Sequence, residues 1–157
     1  MALTKNQLSD GTIEVIARID DAIVRNDEKY AEYLNNLNED VLEFVPGKYP
    51  TKFVMRKILP WKEAIKVQNK QVRFEKGEAQ FQMAFMSEEV RCSLIDIKNP
   101  ANIADDDKIN FEKHKDDLGA SEDLMAKLMS AGIVQDLYVA RKNFLEGSKG
   151  SADLKKS

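Results

Sequence analysis

The sequence predicts a mostly helical α+β fold, with about five helices and a small antiparallel β-hairpin or sheet. Three observations lead there. Apolar residues recur at three- and four-residue spacing through most of the chain. Two short stretches, VLEFV (41–45) and TKFVMRKIL (51–59), place apolar and β-branched residues between turn signals. Pro46-Gly47, Pro50, Pro60, Asn99-Pro100 and Ala131-Gly132 punctuate the rest. At 157 residues the chain is most simply one domain. The expected domain is 1–146, followed by a flexible polar tail, GSKGSADLKKS (147–157).

In chain order, TIEVIARIDDAIVRN from Thr12 reads as helix. Ile13, Ile16, Ala17, Ile23 and Val24 follow helical spacing, and Asp20 is the polar exception. NDEKYAEYLNNL is a second helical piece, capped by Asn26 or Asp27, with Tyr30, Tyr33, Leu34 and Leu37 on its apolar side. The two pieces form one kinked helix or a short pair. VLEFV, Pro46-Gly47 and residues 51–59 then read as a hairpin. On the second strand Phe53, Met55 and Leu59 share a side with Lys57, while Val54, Arg56 and Ile58 share the other.

Pro60 suits a first helical turn, and a helix is expected from Trp61 to about Phe74. Its apolar side would hold Trp61, Ala64, Ile65 and Gln68. Residues 72–85 also alternate like two strands around EKGE, but the longer stripe Met83, Met86, Val90, Leu94 and Ile97 favours a helix over 78–97, stopped by Asn99-Pro100. KINF (108–111) is a possible edge strand. Ser121 caps EDLMAKLMS, with Glu122 and Asp123 in the first turn, and IVQDLYVARKNFLEG follows Gly132 as the last helix.

Charge is unevenly distributed. Lys48–Lys76 holds nine Lys/Arg against Glu63 and Glu75, a formal +7, while residues 1–47 sum to −6 and 77–157 to −4. Within it Lys62, Lys66, Lys70 and Arg73 recur on one helical side as a basic stripe, joined by Arg56 and Lys57 at the strand end. These six residues are the candidate partner-binding set. The acidic total of −3 argues against a general nucleic-acid binder, and the stretch lacks interleaved aromatic platforms for single strands.

Catalytic and ligand motifs are missing from the sequence. His114, the single histidine, lies in the charged run EKHKDD, and Cys92 reads as a small buried side chain on the 78–97 helix. One histidine and one cysteine do not make a zinc site. Asp105, Asp106 and Asp107 fail the calcium-loop pattern, because Ile109 and Asn110 stand where an Asp or Asn and the Gly belong. Neither a P-loop nor a dinucleotide fingerprint is present. No catalytic residue, metal site or cofactor is therefore expected. With no signal-peptide core and no membrane-length apolar run, a soluble protein is expected, and the one cysteine fits a reducing compartment or a protein that does without disulfides.

DDAIVRNDEKYAEYLNN, PGKYPTKFVMRKIL (46–59), CSLIDIKN, KINF, DLMAKLM and ARKNF together resemble a group of small proteins encoded among the head and tail genes of tailed bacteriophages. The part most similar is 46–59, against that group's PG-x-x-P-T-x-F-x-x-R-x-L pattern, with Ile58 at the final leucine position. The Lys142-Asn143 pair also looks shared. The resemblance covers residues 18–145 and transfers no functional residue. It implies a non-enzymatic virion structural or assembly protein: a minor head–tail or tail component, or a tail assembly chaperone. Such a protein would bind other virion or assembly proteins in multiple copies, in the virion or in the host cytoplasm during assembly. The alternative expectation is a small nucleic-acid-associated accessory or regulatory protein using the basic stripe.

Overall fold

A computed structural model of the protein describes residues 11–67, 79–100 and 109–156, with side chains described over 11–67, 85–100 and 109–147. Among the described residues, five helices surround a three-stranded antiparallel sheet, so the α+β expectation holds. In chain order the elements are β1 (Thr12–Val15), α1 (Asp27–Asn36), a 3-10 turn (Glu39–Val41), β2 (Lys52–Arg56), α2 (61–67), α3 (Ala79–Ser93), β3 (Leu94–Lys98), α4 (Glu122–Ser130) and α5 (Ile133–Lys156).

β2 is central, and its partners differ from the expected hairpin. Thr12 faces Arg56 and Val15 faces Phe53 on one edge; Lys52 faces Lys98 and Met55 faces Leu94 on the other. The register shifts between Val54 and Met55, which lets two strands of unequal phase meet β2. Ile13, Val15, Phe53, Met55, Leu94 and Ile97 are buried in the core together with Tyr30, Tyr33, Leu124, Leu128, Ile133 and Leu137 from the helices. α5 packs against α1, α3, α4 and β1 and so ties the sheet to the helical layer.

Five expectations are corrected here. Residues 12–15 form a strand rather than the start of a helix. Thr12, Ile13, Val15 and Ile16 are β-branched and suit a pleated surface. The apparent helical stripe arose because Ile16, Ala17, Asp20 and Ile23 are also buried, in the irregular segment after the strand, whereas Val24 is exposed. VLEFV does not pair with β2. It begins in the 3-10 turn and then meets residues 22–24, where Val24 N–H donates to Glu43 O (2.8 Å) and Val45 N–H to Ala22 O (2.8 Å). The helix expected over 78–97 ends at Ser93, and LIDIK continues as β3, with Leu94 and Ile97 buried and Asp96 and Lys98 exposed. KINF forms no strand over its described residues, although Ile109 is buried in the core. Helix α5 also continues to Lys156, through the residues expected to form a loose tail.

The segment between β1 and α1 is held by buried polar groups rather than by helical bonds. Tyr30 O–H donates to Ile16 O (2.8 Å), and Ile16 N–H donates to Tyr33 Oη (2.9 Å), so two tyrosines one helical turn apart clamp both backbone polar groups of one residue. Burial pushes both phenols well above their usual range. Tyr33→Phe leaves the Ile16 N–H buried without its acceptor and should cost about 1–3 kcal/mol, read as a lower urea midpoint at unchanged m-value.

Asp20, the polar exception in the sequence, is nearly fully buried. It accepts from Ala22 N–H (2.8 Å) and Thr51 N–H (2.7 Å), fixing the turn and joining it to the entry of β2. Burial raises its carboxyl above the ordinary 3.8, outweighing the two N–H donors that lower it. A raised carboxyl binds its proton more readily when folded, so its contribution is present below 3.8 and is lost as pH rises through the folded value. Denaturation midpoints of the wild type should therefore decline over that window, and Asp20→Asn should show a shallower decline.

Candidate partner-docking face

After Arg56 the chain leaves the sheet, turns through 57–60 and enters α2 at Trp61. Pro60 fixes the entry, and its carbonyl accepts from Ala64 N–H (3.0 Å) in the first turn. α2 sits on the protein through Glu63, Ala64 and Val67; of the expected apolar side Ala64 faces inward, while Trp61 and Ile65 are exposed. The helix is turned by about one residue's step, roughly 100°, from the expected orientation. Val67, rather than Trp61, supplies the apolar anchor.

The consequence is an apolar surface in contact with water. Ile58 is 82% exposed, Trp61 69% and Ile65 45%. Scattered exposed apolar side chains need no explanation, but three large ones within eight residues form a patch. Trp61 is the chain's single tryptophan, and tryptophan is enriched where interfaces concentrate their binding energy.

The six basic candidates have different fates. Lys62 is exposed beside this patch, its ammonium 5.8 Å from the Trp61 ring centre. Lys66 is on the same exposed side but is occupied: it donates to Asp117 (3.1 Å) and lies 3.8 Å from Glu63. The Asp117 hydrogen bond raises the Lys66 ammonium, and Lys66 in turn holds the Asp117 carboxyl below its usual range. Lys57 places its ammonium 5.5 Å from the Phe144 ring centre. Arg56 stays at the strand end with a buried Nε that has no hydrogen-bond partner among the described residues. Lys70 and Arg73 lie outside the described residues, as do Gln68 and Phe74.

Two residues that the sequence reading left unassigned support this face. Arg141 of α5, 5% exposed, donates from Nε to Arg56 O (2.8 Å) and from Nη2 to Lys57 O (3.0 Å), pinning the chain where it leaves β2. Its Nη1 lies 3.7 Å from Glu89 Oε2 on α3. Burial lowers the Arg141 guanidinium and raises the Glu89 carboxyl, and Arg141 and Lys142 partly offset the latter. The sequence carried a signal for Arg141: it falls between Leu137 and Phe144 at four and three, on the buried stripe of its helix.

The groups that resemble chemistry are engaged otherwise. His114 Nδ1 accepts from Asp116 N–H (3.1 Å) and Asp117 N–H (3.0 Å), so that ring nitrogen is engaged in the 114–117 turn. The polar, open hollow of about 460 Å³ beside it includes Ser121, whose hydroxyl oxygen accepts from Leu124 N–H (3.1 Å) as the cap of α4. Cys92 is buried as expected, and its thiol is pushed up to about 11, mainly by burial. Among the described residues no group of three or more His, Cys, Asp or Glu is arranged to hold a metal ion, and no helix is long and apolar enough to cross a membrane. Asp105–Asp107 lie outside the described residues.

No protein-family model, curated protein or solved structure matches the chain.

Proposed function

We propose that this protein is a non-enzymatic docking component of a tailed-bacteriophage particle or of its assembly, binding other particle proteins through the face made by Ile58, Trp61, Lys62 and Ile65. The observation that carries the proposal is the orientation of α2, which turns Trp61 and Ile65 outward beside Ile58. Burying such side chains against a partner contributes about 25 cal/mol for each Å² of apolar area removed from water. A lysine beside the patch favours an acidic partner and helps fix its register. The sequence resemblance over 18–145 supports the phage setting, and acting in the virion or in the host cytoplasm during assembly follows from it.

The experiment is mass spectrometry of gradient-purified mature particles and of their assembly intermediates. The chain at stoichiometric copy number in either fraction is the expected result. Presence only in intermediates assigns a chaperone role, and absence from both contradicts the proposal. The nucleic-acid alternative is tested by titrating duplex DNA at low salt. A salt-dependent shift lost on reversing Lys62 and Lys66 would favour it over protein docking.

A further inference from the structure

Before α4 the chain doubles back between Glu112 and Ser121. Ser121 N–H donates to Glu112 O (2.8 Å) and His114 N–H to Gly119 O (2.9 Å), with Lys113 bridged to Ala120. These backbone bonds close the base of the loop, and Ala120 N–H holds it to Arg91 O on α3 (2.9 Å). The tip, 115–118, is ordered differently. There the half-buried His114 ring is the acceptor, its Nδ1 taking both Asp116 N–H (3.1 Å) and Asp117 N–H (3.0 Å). Two backbone donors depend on one ring nitrogen, which accepts only while it carries no proton.

The tip meets α2. Asp117 Oδ1 accepts from Lys66 Nζ (3.1 Å), and its Oδ2 lies 3.8 Å from Arg91 Nη2. The Lys66 and Asp117 side chains are 44% and 38% exposed, so this ion pair is weak and easily exchanged. Glu63, 3.8 Å from Lys66, is on α2 itself and stays beside it whether or not Asp117 does. The ring borders an open hollow shared with Glu112, Lys113, Lys115 and Asp116 of its own segment and with Glu122 and Asp123 of α4. Those four carboxylates attract a ring cation and the two lysines repel it. Asp117 also responds to the ring: its carboxyl is held low chiefly by Lys66, with smaller shares from Arg91 and His114.

We propose that His114 is a proton-operated switch of the charge on the docking face. While Nδ1 is bare, the 114–117 turn is closed and Asp117 neutralises Lys66. When the ring takes up a second proton, Nδ1 becomes a donor and both N–H bonds are lost. Asp117 then has a cation within its own turn and leaves Lys66, whose ammonium is freed one helical turn from Lys62 on the exposed side of α2. The base of the loop does not use the ring, so the change is local. Histidine is the side chain whose charge ordinarily changes between about pH 8 and about pH 5, and His114 is the single one in the chain. The consequence for binding rests on the docking function proposed above: an acidic partner meets one free lysine on α2 at the higher pH and two at the lower.

The test is amine acetylation of the full chain at low salt between about pH 8 and about pH 5.5. The ratio of Lys66 to Lys62 labelling is read by peptide mass spectrometry, so that Lys62, on the same helix, corrects for the effect of pH on the reagent and on lysines generally. The ratio should rise about two- to fivefold as pH falls, the scale of an exposed ion pair. His114→Asn keeps a side-chain acceptor for the turn without a titrating ring, and its ratio should stay at the wild-type high-pH level throughout. Asp117→Asn should show the wild-type low-pH ratio at every pH. In wild-type protein the Asp116 and Asp117 amide resonances should shift together with the His114 ring resonances, a readout that holds even if a variant disturbs the loop. A flat wild-type ratio, the same rise in His114→Asn, or Asp116 and Asp117 amides that do not follow the ring would overturn the switch. None of these readouts uses a partner, so the two proposals fail separately: absence of the chain from particles and intermediates removes the docking function, and a flat ratio removes the switch.

Discussion

Gly119→Ala is expected to destabilise the protein by roughly 3 kcal/mol or more, the largest effect among the described glycines. A Cβ at Gly119 would stand 2.0 Å from Arg91 O and 2.9 Å from Cys92 Cα, both backbone atoms at the end of α3. Backbone φ is +94°, so an L side chain is disfavoured there even without the collision. The close approach serves a purpose. Ala120 N–H donates to Arg91 O (2.9 Å), and Arg91 Nη1 donates to Leu118 O (3.2 Å), so the 112–121 segment is stitched to the junction of α3 and β3. Arg91 is itself held by Glu88 through Nε (3.2 Å) and Nη2 (2.8 Å). Lifting the segment breaks these contacts, strains the Ser121 cap and releases Asp117 from Lys66. Gly47→Ala is the control: its φ is also positive, at +81°, but the added Cβ meets nothing within 4 Å, so the cost should be about 1–2 kcal/mol. Urea unfolding of the two variants separates collision from backbone conformation.

Arg141→Ala should cost about 3–5 kcal/mol, the usual penalty for breaking a buried charged network from one side. The truncation leaves Arg56 O and Lys57 O without their donors and Glu89 without its counter-charge. Arg141→Met combined with Glu89→Gln should recover part of the loss, because a thioether and an amide remove both buried charges together. Lys142→Ala, at the exposed next position, should change stability by no more than about 0.5 kcal/mol. The same comparison has a functional side. Arg141 fixes the carbonyls of 56 and 57, immediately before Ile58, so the Ala variant should expose 57–60 to faster amide hydrogen exchange at denaturant concentrations where the fold persists.

Capped helices were the most legible part of the sequence. Asn26 caps α1 by accepting from Lys29 N–H, and Ser121 caps α4, because both ends are written in local residues. β2 was legible from its composition and bracketing prolines. Its partners were not, since they lie some forty residues away on either side and nothing local encodes that pairing. The 12–24 region misled because burial was spread over a strand, a turn and a loop whose inward residues happen to recur at helical intervals. For α2 the misreading has a different origin. Ranking by hydrophobicity places Trp61 and Ile65 inside, whereas the observed helix buries the smaller Ala64 and Val67. Under the docking function proposed above, that exposed patch breaks the inside–outside pattern for a functional cause. Lys66 shows the converse. Its periodicity suggested a free basic stripe, but Asp117, fifty-one residues away, occupies it.

The central claim is that Ile58, Trp61 and Ile65 are exposed because a particle protein covers them. It is tested most directly by size-exclusion co-migration of the full chain with purified head, neck and tail proteins. The wild type, an Ile58→Asp/Trp61→Asp double variant and Met129→Asp, an exposed apolar position on α4, would be compared at low and moderate salt. The wild type and Met129→Asp should co-migrate with the same component, and the double variant should elute alone with unchanged circular dichroism. Co-migration of the double variant at the wild-type level, no co-migration of the wild type with any component, or a concentration-dependent self-association that the double variant removes would contradict the claim.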